Sequence, residues 1–301
     1  MKEDTMSHPV LAGVDGSERS LAAADWAARE AALRGVPLCL VHASPQLPGA
    51  AVPVSAVDTL RRVGERMLRR AVADLGPRHP DVEVRSEQVD GAPAAALLTA
   101  ARGAGLLVVG TRGSGGFDGL AVGSVALRVA AAAACPVVLV PQQPVGAFGD
   151  GTRVADGAAR VVVGFDAHRP VHEVADFALS TAETRGAQLR VVQAWALPAD
   201  SVSPRTLVVT EEDRATWEDQ EVLWLSDALR GWREKYPQVT VRTDVVLLHP
   251  AEALLNASRG ADLLVVGRRT DPQAAEGRLG PVTHALLHHV RCPAAVVPHA
   301  D

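Results

Sequence analysis

The sequence predicts an α/β protein of two homologous domains, each an open parallel sheet covered by helices on both faces. Three observations lead there: short β-branched runs alternate with helical patterns, the alternation occurs twice, and the two passes share fixed landmarks. Gly13-Val14-Asp15 recurs as Gly164-Phe165-Asp166. Leu106-Leu107-Val108-Val109-Gly110 recurs as Leu263-Leu264-Val265-Val266-Gly267, and Cys135-Pro136 as Cys292-Pro293, the last two at an offset of 157 residues. A chain of 301 residues, 48% hydrophobic, is long enough for two packed cores. The expected domains are 7–145 and 160–301, joined through Pro141 to Ala159, where Pro, Gly and polar residues interrupt the apolar periodicity.

In the first repeat the expected strands are Val10 to Val14, Val36 to Ala43, Val82 to Val89, Leu106 to Gly110 and Pro136 to Val140. Leu21, Ala24, Ala28 and Ala31 mark a helix over Ser17 to Arg34, and Gly35 ends it in a left-handed conformation. Leu60, Val63, Met67, Ala71 and Leu75 form one stripe of a second helix. Strands separated by helices need right-handed crossovers, which makes the sheet parallel and puts a ligand crevice at the strands' carboxyl ends. The final strands, Pro136 to Val140 and Pro293 to Val297, are candidate sheet edges that need cover or pairing.

Composition removes several function classes. With 30 basic against 35 acidic side chains, a formal charge of -5, there is no basic field for DNA or RNA. The longest strongly apolar stretch, Ala126 to Val140, carries Arg128 and Pro136 and is shorter than the roughly 20 residues of a membrane span. No basic and apolar leader is recognisable at the start, so a cytoplasmic protein without membrane contact is expected. Cys39, Cys135 and Cys292 sit singly in apolar surroundings and read as small core residues.

The chemical signal follows the fourth strand. Gly110, Gly113 and the run Ser114-Gly115-Gly116 lead to Gly123-Ser124 at the start of a helical pattern. Glycines remove side chains from the path of a phosphate and permit positive φ, and a helix N-terminus supplies amide donors, to which Ser124 adds a hydroxyl. A mobile surface turn is the plainer reading of such a loop. The loop lacks the lysine of a P-loop, and Asp15-Gly16-Ser17 lacks a dinucleotide fingerprint.

Gly110-Thr111-Arg112-Gly113, nine residues, then Gly123-Ser124 resembles the G-x-x-G, nine residues, G-[ST] signature of ATP-binding universal stress proteins. Val10 to Ser17 resembles their opening strand, and the likeness covers both halves, as in the tandem actinobacterial type. The resemblance implies five-stranded parallel sheets of order 3-2-1-4-5 and a stress-response role exercised by binding adenine nucleotide and changing conformation or partners. It implies Asp15 near the ribose, backbone at Ala43 reading adenine, and Gly110, Gly113, Ser114, Gly123 and Ser124, with Val125 adjoining, on the phosphates. The ligand implied is ATP, with or without Mg²⁺, AMP and ADP being alternatives; a protein partner or a homodimer is implied as well. It also implies antiparallel approach of the two edge strands.

Competing explanations attach to these residues. Asp15 is also suited to satisfying the turn before the first helix. His42 reads as a hydrogen-bonded structural histidine. Arg112 suits either phosphate or solvent, and Asp118 either a metal accompanying the nucleotide or a plain loop acid. The second repeat departs from the signature: Gly267-Arg268-Arg269-Thr270 loses the second glycine, and Gly280-Pro281 replaces the Gly-Ser pair. Proline removes an amide where phosphate needs one, so weak or absent ATP binding is expected there, although Arg268 and Arg269 suit an alternative anion site. Trp195 either stacks on a base or fills its space. Trp217, Trp224 and Trp232 read as packing surface, and His284 with His288 as an incomplete zinc site with a surface or capping role. No base or nucleophile facing the phosphates is identifiable, so efficient catalysis is not expected; a slow ATP hydrolase or phosphotransfer enzyme and a nucleotide-independent scaffold are the competing classes.

Overall fold

In the computed structural model the described residues are 8–44, 54–113, 121–141, 159–197, 210–270 and 277–300. The chain divides into two compact units, one built mainly from Met1–Asp150 and the other from Gly151–Arg269 with Gly280–Asp301.

The first unit alternates β1 (Val10–Gly13), α1 (Glu18–Arg34), β2 (Leu38–Ser44), α2 (Val54–Leu75), β3 (Val84–Asp90), α3 (Pro93–Ala100), β4 (Leu106–Gly110), α4 (Ser124–Ala132) and β5 (Val137–Val140). Its strands run in the order β3-β2-β1-β4-β5, all parallel. The central runs are apolar throughout because helices cover both faces: Val10, Leu11, Leu106, Leu107, Val137 and Val138 are all buried. Each fully buried leucine contributes roughly 1.5–3 kcal/mol. The order reverses between β1 and β4, so the loops that leave these two strands flank a crevice at their carboxyl ends.

Local signals set the helix ends. Ser17 caps α1 by accepting from the Ser20 amide, and Gly35 closes it at φ 64°, a left-handed conformation that glycine adopts without strain. Six of the ten buried residues of α1 are alanines (Ala22, Ala23, Ala24, Ala27, Ala28 and Ala31), which lets the helix lie close on the sheet. Among these sits a buried carboxylate, Asp25, held by Arg29 (2.7 Å), Arg78 (2.6 Å) and His79 (2.9 Å). It ties α1 to the chain that leaves α2.

The face of α2 differs from the expected stripe. Leu68, Ala71 and Leu75 are buried with Gly64, whereas Leu60 and Val63 are exposed and Met67 is half-buried. The reason is Gly64: with no side chain it brings the helix onto His42 and Gln88, and the buried line runs 64, 68, 71, 75.

The second unit repeats the plan with β6 (Arg160–Gly164), α5 (His172–Thr184), β7 (Gln188–Trp195), α6 (Glu211–Lys235), β8 (Val241–Leu247), α7 (Pro250–Ala257), β9 (Leu263–Arg269), α8 (Pro281–His289) and β10 (Ala294–His299). Its order is β8-β7-β6-β9-β10, again wholly parallel. Asp176, the counterpart of Asp25, accepts from Trp232 Nε1 (3.1 Å) and Lys235 Nζ (2.9 Å), so the same bracket is rebuilt with different donors. A capping box between Thr210 and Asp213 starts α6. Of the tryptophans on this helix, Trp232 is buried while Trp224 is 43% exposed beside exposed Val222 and Leu223. Both units therefore have the expected architecture and the 3-2-1-4-5 order.

Candidate functional site

The turn after β1 is built around Asp15. Its Oδ1 accepts from the Ser17 amide (3.0 Å) and the Ser17 hydroxyl (2.6 Å), and its own amide donates to Ser20 Oγ (3.2 Å). Gly16 takes φ 83°, and a β-carbon there would also lie 2.9 Å from Met67 Sδ, so α2 closes over the turn. The turn-satisfying role open to Asp15 is thus met by one oxygen. The other, Oδ2, faces the glycine segment.

A β-carbon at Gly113 would stand 2.5 Å from Asp15 Oδ2. Any side chain at 113 therefore displaces that carboxylate or itself. At Gly110 a β-carbon would lie 3.1 Å from the Arg19 carbonyl and 3.3 Å from the Arg112 carbonyl. Neither residue is among the positive-φ glycines, nor is Gly123. Space rather than backbone conformation is what demands glycine at 110 and 113, so the left-handed geometry that glycine permits is not used at 110, 113 or 123.

The segment is anchored at both ends. The Thr111 amide donates to the Val140 carbonyl (3.0 Å), and the Gly123 amide donates to the Thr111 carbonyl (2.7 Å). Gly123 then caps α4 with no side-chain bond, and its carbonyl receives the Leu127 amide (3.1 Å). The amides of Ser124, Val125 and Ala126 begin the helix without carbonyls one turn earlier to accept them, so this end attracts an anion. Ser124 is exposed and Val125 half-buried. Ser114 and Asp118 lie outside the described residues.

At the end of β2, His42 Nδ1 bonds the Val14 carbonyl (2.9 Å), the structural role expected of it. Half-buried Ala43 pairs with Val89, and Ser44 pairs with Asp90. Two neighbours went unnoticed in the sequence. Among the described residues neither buried carboxamide atom of Gln88 has a hydrogen-bond partner, and a β-carbon on Gly64 would come within 2.9 Å of Gln88 Nε2 and 2.7 Å of His42 Cδ2. An isolated glycine in a helical stripe was the available signal.

The second unit holds a different set at the same places. His168 replaces Ser17 and its amide donates to Asp166 Oδ1 (3.0 Å), preserving the turn, while Arg169 lies 3.5 Å from Asp166 Oδ2. The registers Gly13 with Val41 and Gly164 with Val192 make Ser44 and Trp195 equivalent. Trp195 is only 6% exposed and pairs with Leu247, so it fills the space rather than offering a stacking face. Glu221 stands where the first unit has Gly64, binding His168 (3.1 Å) and Gln193 (3.1 Å), and Trp224 packs edge-on against His168.

The largest difference is in the strand itself. β4 pairing with β5 ends at Gly110 and Val140, but β9 continues beside β10 through Arg268 with Pro298 and Arg269 with His299. The chain stays in the sheet where the first unit leaves it to form the glycine segment. Arg268 is buried, and desolvation pushes its pKa down. At the start of α8, Pro281 occupies the first helical turn after Gly280.

Other chemistry is quiet. Burial pushes the Cys135 thiol up to about 11 and the Cys292 thiol up to about 12, so neither is a thiolate at neutral pH. Among the described residues no three His, Cys, Asp or Glu side chains gather as a metal group. No described helix is long and apolar enough to cross a membrane.

Comparison with known proteins follows the same division. The sequence profile described as the universal stress protein family matches residues 6–141 and 158–298. A universal stress protein of Mycobacterium tuberculosis is 31% identical over 306 residues, covering 98% of this chain and 99% of the relative. One of Mycolicibacterium smegmatis is 31% identical over 314 residues, covering 99% of each. Among solved structures, a universal stress protein from Archaeoglobus fulgidus superposes with a TM-score of 0.68 over 97% of this chain and 98% of its own, at 16% identity, a likeness of fold.

Proposed function

Because the chain belongs to the universal stress protein family and carries two such domains in tandem, we propose that it is an adenine-nucleotide-binding stress-response regulator whose first domain, residues 7–145, binds ATP. The observation that carries this reading is the meeting of Asp15 Oδ2 with the bare backbone of Gly113, on a segment that closes onto the open first turn of α4. Asp15 serves the ribose and the Ala43 backbone serves adenine. Gly110, Gly113, Ser114, Gly123, Ser124 and Val125 line the phosphates, which the amides and the Ser124 hydroxyl hold by charge-assisted hydrogen bonds. Mg²⁺, when it accompanies the nucleotide, neutralises phosphate charge.

The role of these residues is to bind and orient. A site that holds the phosphate chain of the ground state does not by that fact accelerate its cleavage, which needs tighter binding of the transition state. Nucleotide occupancy favours one conformation, and a protein partner or a second copy of the chain reads that conformation. The second domain, residues 160–301, contributes surface rather than a second ATP site.

Small molecules released by denaturing purified protein test the reading. Adenine nucleotide recovered from the wild type and lost from a folded Gly113→Val variant supports it. Protein that carries no nucleotide and does not bind added ATP, ADP or AMP contradicts it.

A further inference from the structure

His284 and His288 have no part in the nucleotide reading. They lie one turn apart on α8, His284 exposed and His288 half-buried, with ring centroids 4.8 Å apart and planes inclined by 47°. Positions four apart share a helix face, the spacing by which two helical histidines hold one metal ion in known zinc sites. Among the described residues neither imidazole makes a hydrogen bond or an ion pair, so their nitrogens are not committed elsewhere.

The ring spacing fits a shared ion. With metal to nitrogen bonds of about 2.0–2.1 Å, each imidazole centroid stands roughly 3.2 Å from the metal, and two rings at cis angles of roughly 90–110° lie about 4.5–5.2 Å apart. The observed 4.8 Å falls inside that range.

We propose that His284 and His288 form a two-nitrogen chelate on α8 for one divalent ion of the copper, nickel and zinc class, with water in the remaining positions. Two ligands make an open site, unlike the closed four-ligand shell of a structural zinc centre. Of this class Cu²⁺ binds an imidazole pair most tightly, since affinity peaks at copper across the divalent series. His289 is the internal control. It is next to His288 in sequence but five positions from His284, which turns it off their common face.

Titration of the full-length protein with Cu²⁺ alone in a non-coordinating buffer tests the assignment. The wild type is expected to show a one-ion phase whose electron paramagnetic resonance spectrum reports two equatorial nitrogens. His284→Gln and His288→Gln should each weaken that phase by about tenfold or more, because one imidazole leaves a monodentate site, and His289→Gln should leave it unchanged. Far-UV circular dichroism of each variant verifies that α8 is retained. Identical isotherms for wild type, His284→Gln and His288→Gln, or equal weakening by His289→Gln, would overturn the proposal.

Discussion

The carboxyl ends of the two sheets start from the same template and end in opposite states. In the first unit β2 and β3 finish with Ser44 beside Asp90, and β4 stops at Gly110 so that the chain turns toward Asp15. In the second, β7 and β8 finish with Trp195 beside Leu247, and β9 runs on to Arg269. One end is small and polar, with an amide on every residue of the first turn of α4; the other is filled by an indole, keeps its chain in the ladder through Arg269 and loses one first-turn amide to Pro281. The lesson is that the carboxyl end of this fold is rebuilt without disturbing the sheet, because contacts that bracket the helices, such as those of Asp25 and Asp176, lie elsewhere.

The sharpest break of that contrast is Gly113→Val. A β-carbon 2.5 Å from Asp15 Oδ2 evicts the carboxylate, and the branched side chain enters the proposed phosphate path. ATP affinity should fall about a hundredfold or more, the loss of two or three hydrogen bonds to charged groups at roughly 1.5–3 kcal/mol each. Calorimetric titration of the folded variant checks it, and an unchanged isotherm removes Gly113 from the site.

Asp15→Asn should cost less. The amide oxygen still accepts from Ser17, so the turn survives while the charge facing Gly113 is gone. A decrease of about tenfold in ATP affinity is expected, against no change for Asp166→Asn. Equal effects at the two positions would erase the proposed asymmetry. Ser124→Ala removes one neutral hydroxyl and should weaken ATP by about twofold to tenfold, leaving the helix amides in place.

Where the units agree, their chemistry should agree. Cys135 and Cys292 lie two residues before the equivalent strands β5 and β10, and burial raises both thiols. A thiol whose pKa is raised on folding contributes stability that is intact below the unfolded value near 9 and is lost as pH rises toward about 11 and 12. Native protein at pH 8 should therefore react with a thiol reagent at both positions far more slowly than urea-unfolded protein. Rapid labelling of either in the native state would contradict the burial.

Much of the fold was legible because β-branched runs and repeat landmarks survive in both halves. Strand order was not, since periodicity carries no information about which strands are neighbours; it entered only with the family resemblance. The Asp15 turn and the glycines from Gly110 to Gly123 stand out in the sequence, but of the two reasons for glycine at 113, bare space and positive φ, only space applies, and its source is Asp15, a neighbour that spacing along the chain does not reveal. The stripe of α2 was misplaced because Gly64, invisible to a hydrophobicity pattern, is the point of nearest approach. Gly267 to Thr270 read as a decayed loop, whereas most of it is strand, because the register with β10 depends on Pro298 and His299 far along the chain.

The central claim, that one repeat binds nucleotide and the other does not, is tested most directly by calorimetric titration of the full-length protein with ATP and Mg²⁺. One site per chain, abolished by Gly113→Val and indifferent to Asp166→Asn, is the predicted result. Two sites of similar affinity, one of them surviving Gly113→Val, would contradict it.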